Sequence, residues 1–254
     1  MKRMLPVLVS VGFLLGLPAG TMASETLRAY GPGGPLPAMK EAAEEFGRLY
    51  GIAVEVTAGP TGNWLAKAKQ DADLIFSGAE YMMTDFIKAM EGRIDEGTVE
   101  SLYLRPSAIL VRPGNPKQIR RFEDLLKSGI KVLVVQGAGQ AALWEDMAGR
   151  KGDIRTVRAL RKNIVSYAAN SAEAKKAWTE DKALDAWIIW NIWQIANKDL
   201  ADLVPVNKDY RIYRDCGISL TQTAKEKDTA RKFVAFLKSD AGRRIFAKWG
   251  WITK

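Results

Sequence analysis

Histidine is absent from the 254-residue sequence, and cysteine occurs once, as Cys216. Without histidine the chain cannot build a Ser-His-Asp triad, a Cys-His dyad, a histidine-ligated zinc site or a histidine pH switch. A single cysteine excludes an intrachain disulfide, a cysteine metal cluster and an iron–sulfur site. We therefore expect no enzyme of these classes and no cofactor, and we expect Cys216 to be buried.

Long hydrophobic runs are scarce, and the one that stands out lies at the N-terminus. Lys2 and Arg3 precede an almost entirely apolar stretch over 5–17, and small residues end it near Ala23. This pattern predicts a secretory signal peptide over 1–23, because the run is shorter than the roughly 20 residues that span a bilayer. We expect a periplasmic protein without stable membrane insertion. An uncleaved anchor is the alternative.

Acidic residues are outnumbered, with 29 Asp and Glu against 38 Lys and Arg, so the formal net charge is +9. The densest basic segments, Lys117–Arg121 and Arg150–Lys162, lack the interleaved aromatic residues that stack on bases, and acidic residues lie in or beside them. We interpret both segments as solvated faces and expect no nucleic-acid partner. The overall charge favours a small anionic ligand over a cationic one.

Hydrophobic residues make up 47% and charged residues 26% of the chain, which is typical of a folded globular protein. Segments with strand and helix patterns alternate along it, which predicts βαβ units and parallel sheets. Continuous apolar strands such as those at 73–77 and 131–136 fit sheets that are covered on both faces. The length suits one large domain or two lobes of about 100 residues each.

Two extended stretches, 101–111 and 211–220, interrupt the alternation and are the predicted crossovers between two lobes. The fold class that we predict is α/β. It is a two-lobed arrangement in which each lobe is a mostly parallel sheet flanked by helices, joined by a double-crossover hinge. The expected boundaries place 24–105 plus 216–254 in lobe 1 and 106–215 in lobe 2.

Glycine-rich turns follow several of the predicted strands. They comprise Gly31-Pro32-Gly33-Gly34, Gly59-Pro60-Thr61-Gly62-Asn63, Ser77-Gly78-Ala79 and Gly137-Ala138-Gly139-Gln140. A helix that begins at such a turn presents unpaired N–H groups and a partial positive charge, and glycine lets an anion approach closely. Thr61, Ser77 and Ser171 add hydroxyl donors. Neither a phosphate-binding GxxxxGK[ST] motif nor a complete dinucleotide fingerprint is present. The turns therefore predict an anion site, although each one alone is also compatible with an ordinary turn.

Three further positions have competing interpretations. Arg105 lies at the first crossover beside Pro106 and Ser107, where it would either clamp a carboxylate or phosphate or form an interlobe salt bridge. Arg214 is interpreted as a structural ion-pair partner. Asn191 ends a strand within a tryptophan cluster (Trp187, Trp190 and Trp193) that we assign to the core, and its amide could donate to a ligand.

Long segments of the chain resemble the accessory colonization factor AcfC family, within the type II periplasmic solute-binding proteins. The segments are LRAYGPGGPLPAMKEAA, DLIFSGAEYMMTDF, LYLRPSAILVRPGNPK, GAGQAALWEDMAGRKGDI, NSAEAKKAW and WNIWQIANKDLADLV. The ending DAGRRIFAKWGW is similar to the closing helix of the molybdate- and sulfate-binding group. Together these segments cover about residues 26–251.

The resemblance implies an exported type II binding protein that closes on a small anion. The implied ligands are a sulfate- or molybdate-like oxyanion, citrate or a 3-phosphoglycerate-like acid. The implied partners are an ABC permease or a chemoreceptor, with homodimers in some members. The residues that match the family's loops are Gly33, Gly34, Thr61, Asn63, Ser77, Gly78, Arg105, Ser107, Gly139, Gln140, Ser171 and Asn191.

A rival hypothesis from another class is a colonisation-associated adhesin or surface protein with a vestigial cleft. It predicts binding to host glycans or matrix and no stabilisation by small anions. An enzyme acting on phosphate or carboxylate esters is disfavoured, because histidine is absent and no two carboxylates have a sequence spacing that indicates an acid–base pair.

Overall fold

The computed structural model describes residues 26–224 and 227–254. The predicted signal peptide and its cleavage near Ala23 lie outside the described residues. The strands are β1 (Thr26–Gly31), β2 (Ala53–Ala58), β3 (Leu74–Phe76), β4 (Glu100–Val111), β5 (Val132–Val135), β6 (Ile164–Ala168), β7 (Ala186–Trp190), β8 (Asp202–Pro205) and β9 (Tyr213–Leu220). The α-helices are α1 (Leu36–Tyr50), α2 (Leu65–Asp71), α3 (Glu80–Ala89), α4 (Leu143–Gly149), α5 (Ile154–Asn163), α6 (Ser171–Glu180), α7 (Asn191–Ile195), α8 (Asp228–Lys238) and α9 (Asp240–Lys248).

The strands follow the order β2-β1-β3-β9-β4-β7-β5-β6, with β8 also paired to β4. In the first sheet half, β2, β1 and β3 are parallel to one another, and β9 runs antiparallel to both β3 and the first part of β4. In the second sheet half, β7, β5 and β6 are parallel. Strand β7 runs antiparallel to β4 from Ser107 onward, and β8 does so from Ala108 onward. The two antiparallel strands β4 and β9 are the crossovers, which confirms the predicted α/β class and double crossover.

Local sequence explains where several helices begin and end. Gly51 ends α1 in the left-handed region at φ 68°, a conformation that glycine adopts without strain. Asn170 begins α6, because its side-chain oxygen accepts hydrogen bonds from the N–H groups of Ala172 and Glu173. No helix in the described ranges combines the length and the apolar character needed to cross a membrane.

Two segments differ from their sequence-based interpretation. The helix expected to begin at the Gly137-Ala138-Gly139-Gln140 turn is broken, because Ala142 adopts φ 58° between a short 3₁₀ turn over Ala138–Gln140 and α4. The basic segment around 150–162 contains α5, which was not predicted as a helix; it buries only Leu160 and Asn163.

The apolar core extends through both sheet halves. Strands β5 and β7 are buried along their whole length, as expected for strands covered by helices on both faces. Cys216 is also fully buried, as predicted. This packing fixes the strand ends, and the turns that follow β1, β3 and β5 meet at one cleft, described next.

Candidate functional site

A cleft lies between the turns of the two sheet halves. In open α/β sheets ligands bind at the carboxyl ends of the strands, and the turns after β1, β3 and β5 occupy that position here. The lining residues are Pro32, Gly33, Gly34, Pro35, Gly59, Pro60, Gly78, Met82, Arg105, Ala138, Gly139, Gln140, Asn170, Ser171, Ala172 and Trp193. Among the described residues no Asp, Glu or Lys lines the cleft, and Arg105 is the one charged residue that does.

Arg105 is only 2% exposed although it carries a charge. The guanidinium carbon lies 4.8 Å from the ring centre of Trp190 and 5.1 Å from that of Trp251, so two indole faces hold the group in place. Its Nη2 donates a hydrogen bond to the carbonyl oxygen of Gly78. Burial lowers the pKa of Arg105 to about 10, which still leaves it protonated at neutral pH.

Two of the three guanidinium nitrogens of Arg105 lack a partner. Nε and Nη1 are buried, and no atom of the described residues accepts a hydrogen bond from either. No carboxylate in the described ranges lies within salt-bridge distance of this side chain, so the interlobe ion pair considered above is not found there. A buried donor without an acceptor is costly, and an unpaired buried charge is more so. An anionic ligand would remove that cost.

Backbone amides add neutral donors around the guanidinium. The N–H groups of Gly33, Gly34, Gly78, Gly139 and Ser171 donate to no acceptor in the described part of the chain. They come from the turns after β1, β3 and β5 and from the first turn of α6. Because both sheet halves contribute, a ligand held by these amides would bridge the halves.

Three side chains complete the polar lining. The Nε2 of Gln140 donates to the Oγ of Ser171 at 2.9 Å, and its Oε1 is buried without a partner. The indole Nε1 of Trp193 is also buried and unpaired in the described structure. The cleft thus offers donors from Arg105, Trp193 and the amides, and one acceptor from Gln140. Pro32, Pro60 and Met82 supply apolar surface.

The structure brings seven of the twelve predicted site residues to the cleft: Gly33, Gly34, Gly78, Arg105, Gly139, Gln140 and Ser171. The other five, Thr61, Asn63, Ser77, Ser107 and Asn191, do not line it.

Three of those five side chains bond to backbone groups instead. The Oγ of Ser77 accepts from the N–H of Gly217 at 3.2 Å and joins the end of β3 to β9. The Oγ of Ser107 accepts from the N–H of Ile212 at 3.0 Å, and the Nδ2 of Asn191 donates to the carbonyl of Gly250 at 2.7 Å. Thr61 and Asn63 lie on a short 3₁₀ turn.

Trp193 is a cleft residue that the sequence interpretation assigned to the core. Its position in the sequence could have indicated this. Trp193 lies in the first turn of α7, directly after β7, and the glycine turns of the cleft likewise lie directly after strands. Arg214 agrees with its sequence interpretation, since it forms an ion pair with Asp146.

A carboxyl pair lies beside the site, outside the cleft. The hydroxyl of Ser101 lies 2.8 Å from an oxygen of Glu80 and 3.1 Å from one of Asp215. Burial, reinforced by the contact with Glu80, raises the pKa of Asp215. An Asp pKa raised by folding means that stability is greatest below that pKa and falls as the pH rises through it.

Replacing Glu80 by glutamine should therefore raise the melting temperature at pH 7.5. The amide removes the repulsion that Asp215 meets when it ionises, and a gain of about 1 kcal/mol is expected. The gain should shrink as the pH falls and Asp215 in the wild type takes up its proton. Melting curves between pH 4 and 8 check this, with Glu45→Gln, a half-buried carboxylate paired to Arg48 far from Asp215, as the control. A gain in melting temperature that stays constant with pH would contradict the claim that Glu80 raises the pKa of Asp215.

The comparisons with known proteins agree with this geometry. The profile of the family described as "Bacterial extracellular solute-binding protein" matches residues 27–252. A crystal structure of PEB3 with L-phospholactate bound is similar at a TM-score of 0.83 and 34% identity, over 89% of this chain and 98% of that one. PEB3 from Campylobacter jejuni gives a TM-score of 0.82 at 33% identity with the same coverage.

More distant relatives share the fold. The periplasmic molybdate-binding protein of Azotobacter vinelandii is similar at a TM-score of 0.66 and 18% identity, over 90% of this chain and 99% of that one. The sulfate-binding protein of Escherichia coli is 27% identical over 189 residues, or 63% of this chain. The match spans 56% of that protein, so the chain covers little more than half the length of this curated relative.

Proposed function

Because the chain belongs to the family of bacterial extracellular solute-binding proteins, we propose that it traps a small organic anion in the cleft around Arg105. The ligand class is a carboxylate- or phosphate-bearing acid. The chain's specific resemblance to the AcfC family is part of this proposal and rests on the sequence motifs.

The unpaired guanidinium of Arg105 is the observation that carries the proposal. A buried cation with two free donors is destabilising unless something accepts from them. Nε and Nη1 each need an acceptor, and the charged oxygens of a carboxylate or phosphate are the strongest acceptors for a guanidinium. The absence of any lining carboxylate from the cleft leaves this charge for a ligand.

The apolar lining supports an organic acid over a bare oxyanion. Pro32, Pro60, Met82 and Trp193 would contact carbon atoms of a ligand, and sulfate or molybdate has none to offer. The buried acceptor Oε1 of Gln140 would suit a ligand hydroxyl. The similarity to PEB3, which has been crystallised with L-phospholactate, points to the same class.

The proposed mechanism is a hinged trap. Lobe 1 (24–105 plus 216–254) supplies the amides of Gly33, Gly34 and Gly78, and lobe 2 (106–215) supplies that of Gly139 and the pair formed by Gln140 and Ser171. A ligand that touches both lobes binds the closed form more tightly than the open one, and this difference in affinity drives closure. The closed form would then dock on an ABC permease or a chemoreceptor in the periplasm.

A thermal-shift screen of anions tests the proposal. At 100 times its dissociation constant, a ligand adds about 2.7 kcal/mol, which is roughly 5–10 °C for a chain of this size. L-phospholactate, 3-phosphoglycerate and citrate represent the organic acids; sulfate and molybdate represent the bare oxyanions. We expect the organic acids to give the larger shifts at equal ionic strength.

Two other results would count against the proposal. Larger shifts with sulfate or molybdate would indicate that the ligand is a tetrahedral oxyanion and not an organic acid. No shift with any of the five anions, together with binding to host glycans or matrix, would favour the adhesin hypothesis.

A further inference from the structure

Tyr81 connects the two sheet halves next to the cleft without lining it. It lies on α3, which follows β3 of the first sheet half. Its hydroxyl donates to the carbonyl oxygen of Ala138 and accepts from the N–H of Ala141 at 3.1 Å. Both of these residues follow β5 of the second sheet half. One side chain therefore bonds to both ends of a short loop across the cleft.

The loop that Tyr81 bonds to (residues 137–142, the β5–α4 loop) has an unfavourable backbone. Ala138 has φ 46° and Ala142 has φ 58°. Residues other than glycine adopt this left-handed region at a cost, and they persist there only when surrounding contacts hold them. Side-chain contacts that hold the loop are the two hydrogen bonds of Tyr81, a bond from the Nε1 of Trp190 to the carbonyl of Gly139 at 3.0 Å, and the bond from the Nε2 of Gln140 to the Oγ of Ser171 at 2.9 Å.

The β5–α4 loop carries two of the cleft's polar groups. The free N–H of Gly139 and the side chain of Gln140 both belong to it. It also touches the first sheet half directly, because a Cβ built on Gly139 would lie 3.2 Å from the carbonyl oxygen of Gly78 and 3.3 Å from the sulfur of Met82. The position of the loop therefore sets both the donor geometry and the approach of the two halves.

We propose that Tyr81 is a positioning residue that latches the β5–α4 loop to the first sheet half and so keeps the cleft closed on its ligand. The inference rests on the proposed function, because closure matters only if something is trapped. Tyr81 acts through the loop and does not touch the ligand. Burial raises the pKa of the hydroxyl, so it stays protonated and able to donate over the whole neutral range.

A latch slows ligand release more than it affects ligand capture. The two hydrogen bonds form only when the halves meet, so they are absent from the open form that first encounters the ligand. Losing them should increase the dissociation rate about tenfold and change the association rate about twofold or less.

The test replaces Tyr81 by phenylalanine, which keeps the ring and removes the hydroxyl. Tyr213→Phe is the control, because Tyr213 is 40% exposed and its hydroxyl lies 3.5 Å from the Nη1 of Arg211. Stopped-flow tryptophan fluorescence with L-phospholactate gives both rates, since Trp193 lines the cleft. Hydrogen–deuterium exchange of the peptide 137–142, measured with and without saturating L-phospholactate, reports directly on the loop in the closed and the ligand-free protein.

We expect Tyr81→Phe to exchange faster in this peptide and to release L-phospholactate about tenfold faster, while Tyr213→Phe matches the wild type. Unchanged exchange in the loop of the protein with L-phospholactate bound overturns the latch. Faster exchange with an unchanged dissociation rate also overturns it, since the loop is then not coupled to closure. If the wild type binds no L-phospholactate or other anion, the proposed function fails, and loop exchange alone decides whether Tyr81 holds the segment.

Discussion

Replacing Arg105 by methionine should weaken binding of the preferred anion by at least about 100-fold. The same change should raise the stability of the ligand-free protein by about 1 kcal/mol. The two effects have one cause. Arg105 is buried with two unpaired donors, so it costs stability when the cleft is empty and binds strongly when an anion fills it. Methionine fills similar space between Trp190 and Trp251 without a charge.

Isothermal titration calorimetry and melting curves measure the two effects separately. Arg112→Met is the matched control, because the guanidinium of Arg112 also lies over an indole ring, 3.7 Å from the ring centre of Trp178. All three of its donor nitrogens are bonded, however, to the carbonyl oxygens of Leu184, Trp178 and Asp181. We expect this control to lose stability and keep its affinity. An Arg105→Met variant that binds as the wild type does would show that the charge serves another purpose.

Replacing Gly139 by alanine should weaken binding about 10- to 100-fold with little change in the stability of the ligand-free protein. A Cβ at this position would lie 2.9 Å from the Nη2 of Arg105 and 3.2 Å from the carbonyl oxygen of Gly78. Arg105 cannot easily move away, since two indole rings and its bond to Gly78 hold it. The clash arises only when the halves are close, so the cost falls on the closed form.

Gly62→Ala is the control for this substitution. It lies in the turn after β2, and a Cβ there would meet nothing within 4 Å. Calorimetry gives the affinities, and small-angle scattering with and without the anion gives the compaction on closure. We expect Gly62→Ala to bind and compact as the wild type does, and Gly139→Ala to compact less. Equal affinity in the two variants would mean that the halves do not approach each other at Gly139.

The parts of the fold that were predictable depend on strong local patterns. Continuous apolar runs predicted β3 and β5, and the glycine residues that follow each run predicted the turns after these strands. The crossovers were predictable because the extended pattern of β4 continues through Pro106 without a helix. Helix α5 was missed because its first residue, Ile154, is 57% exposed and little of the helix is buried. The break at Ala142 was missed because the sequence has neither glycine nor asparagine there.

The candidate site was predictable where backbone chemistry decides and less so where side-chain direction decides. Glycine turns at strand ends present amides whatever surrounds them, and Gly33, Gly34, Gly78 and Gly139 line the cleft. The hydroxyls of Ser77 and Ser107 accept from backbone amides, and a sequence does not show which way a hydroxyl points. Trp193 was assigned to the core because buried and cleft-lining indoles have the same local pattern.

A crystal structure of the protein grown with L-phospholactate tests the central claim most directly. The account predicts one anion per chain in the cleft, with an oxygen at roughly 2.7–3.2 Å from one of the two unpaired donor nitrogens of Arg105, Nε or Nη1. It also predicts that other oxygens accept from amides of both sheet halves. An anion bound elsewhere on the protein, or a cleft in which Nε and Nη1 bond to protein atoms alone, would contradict it.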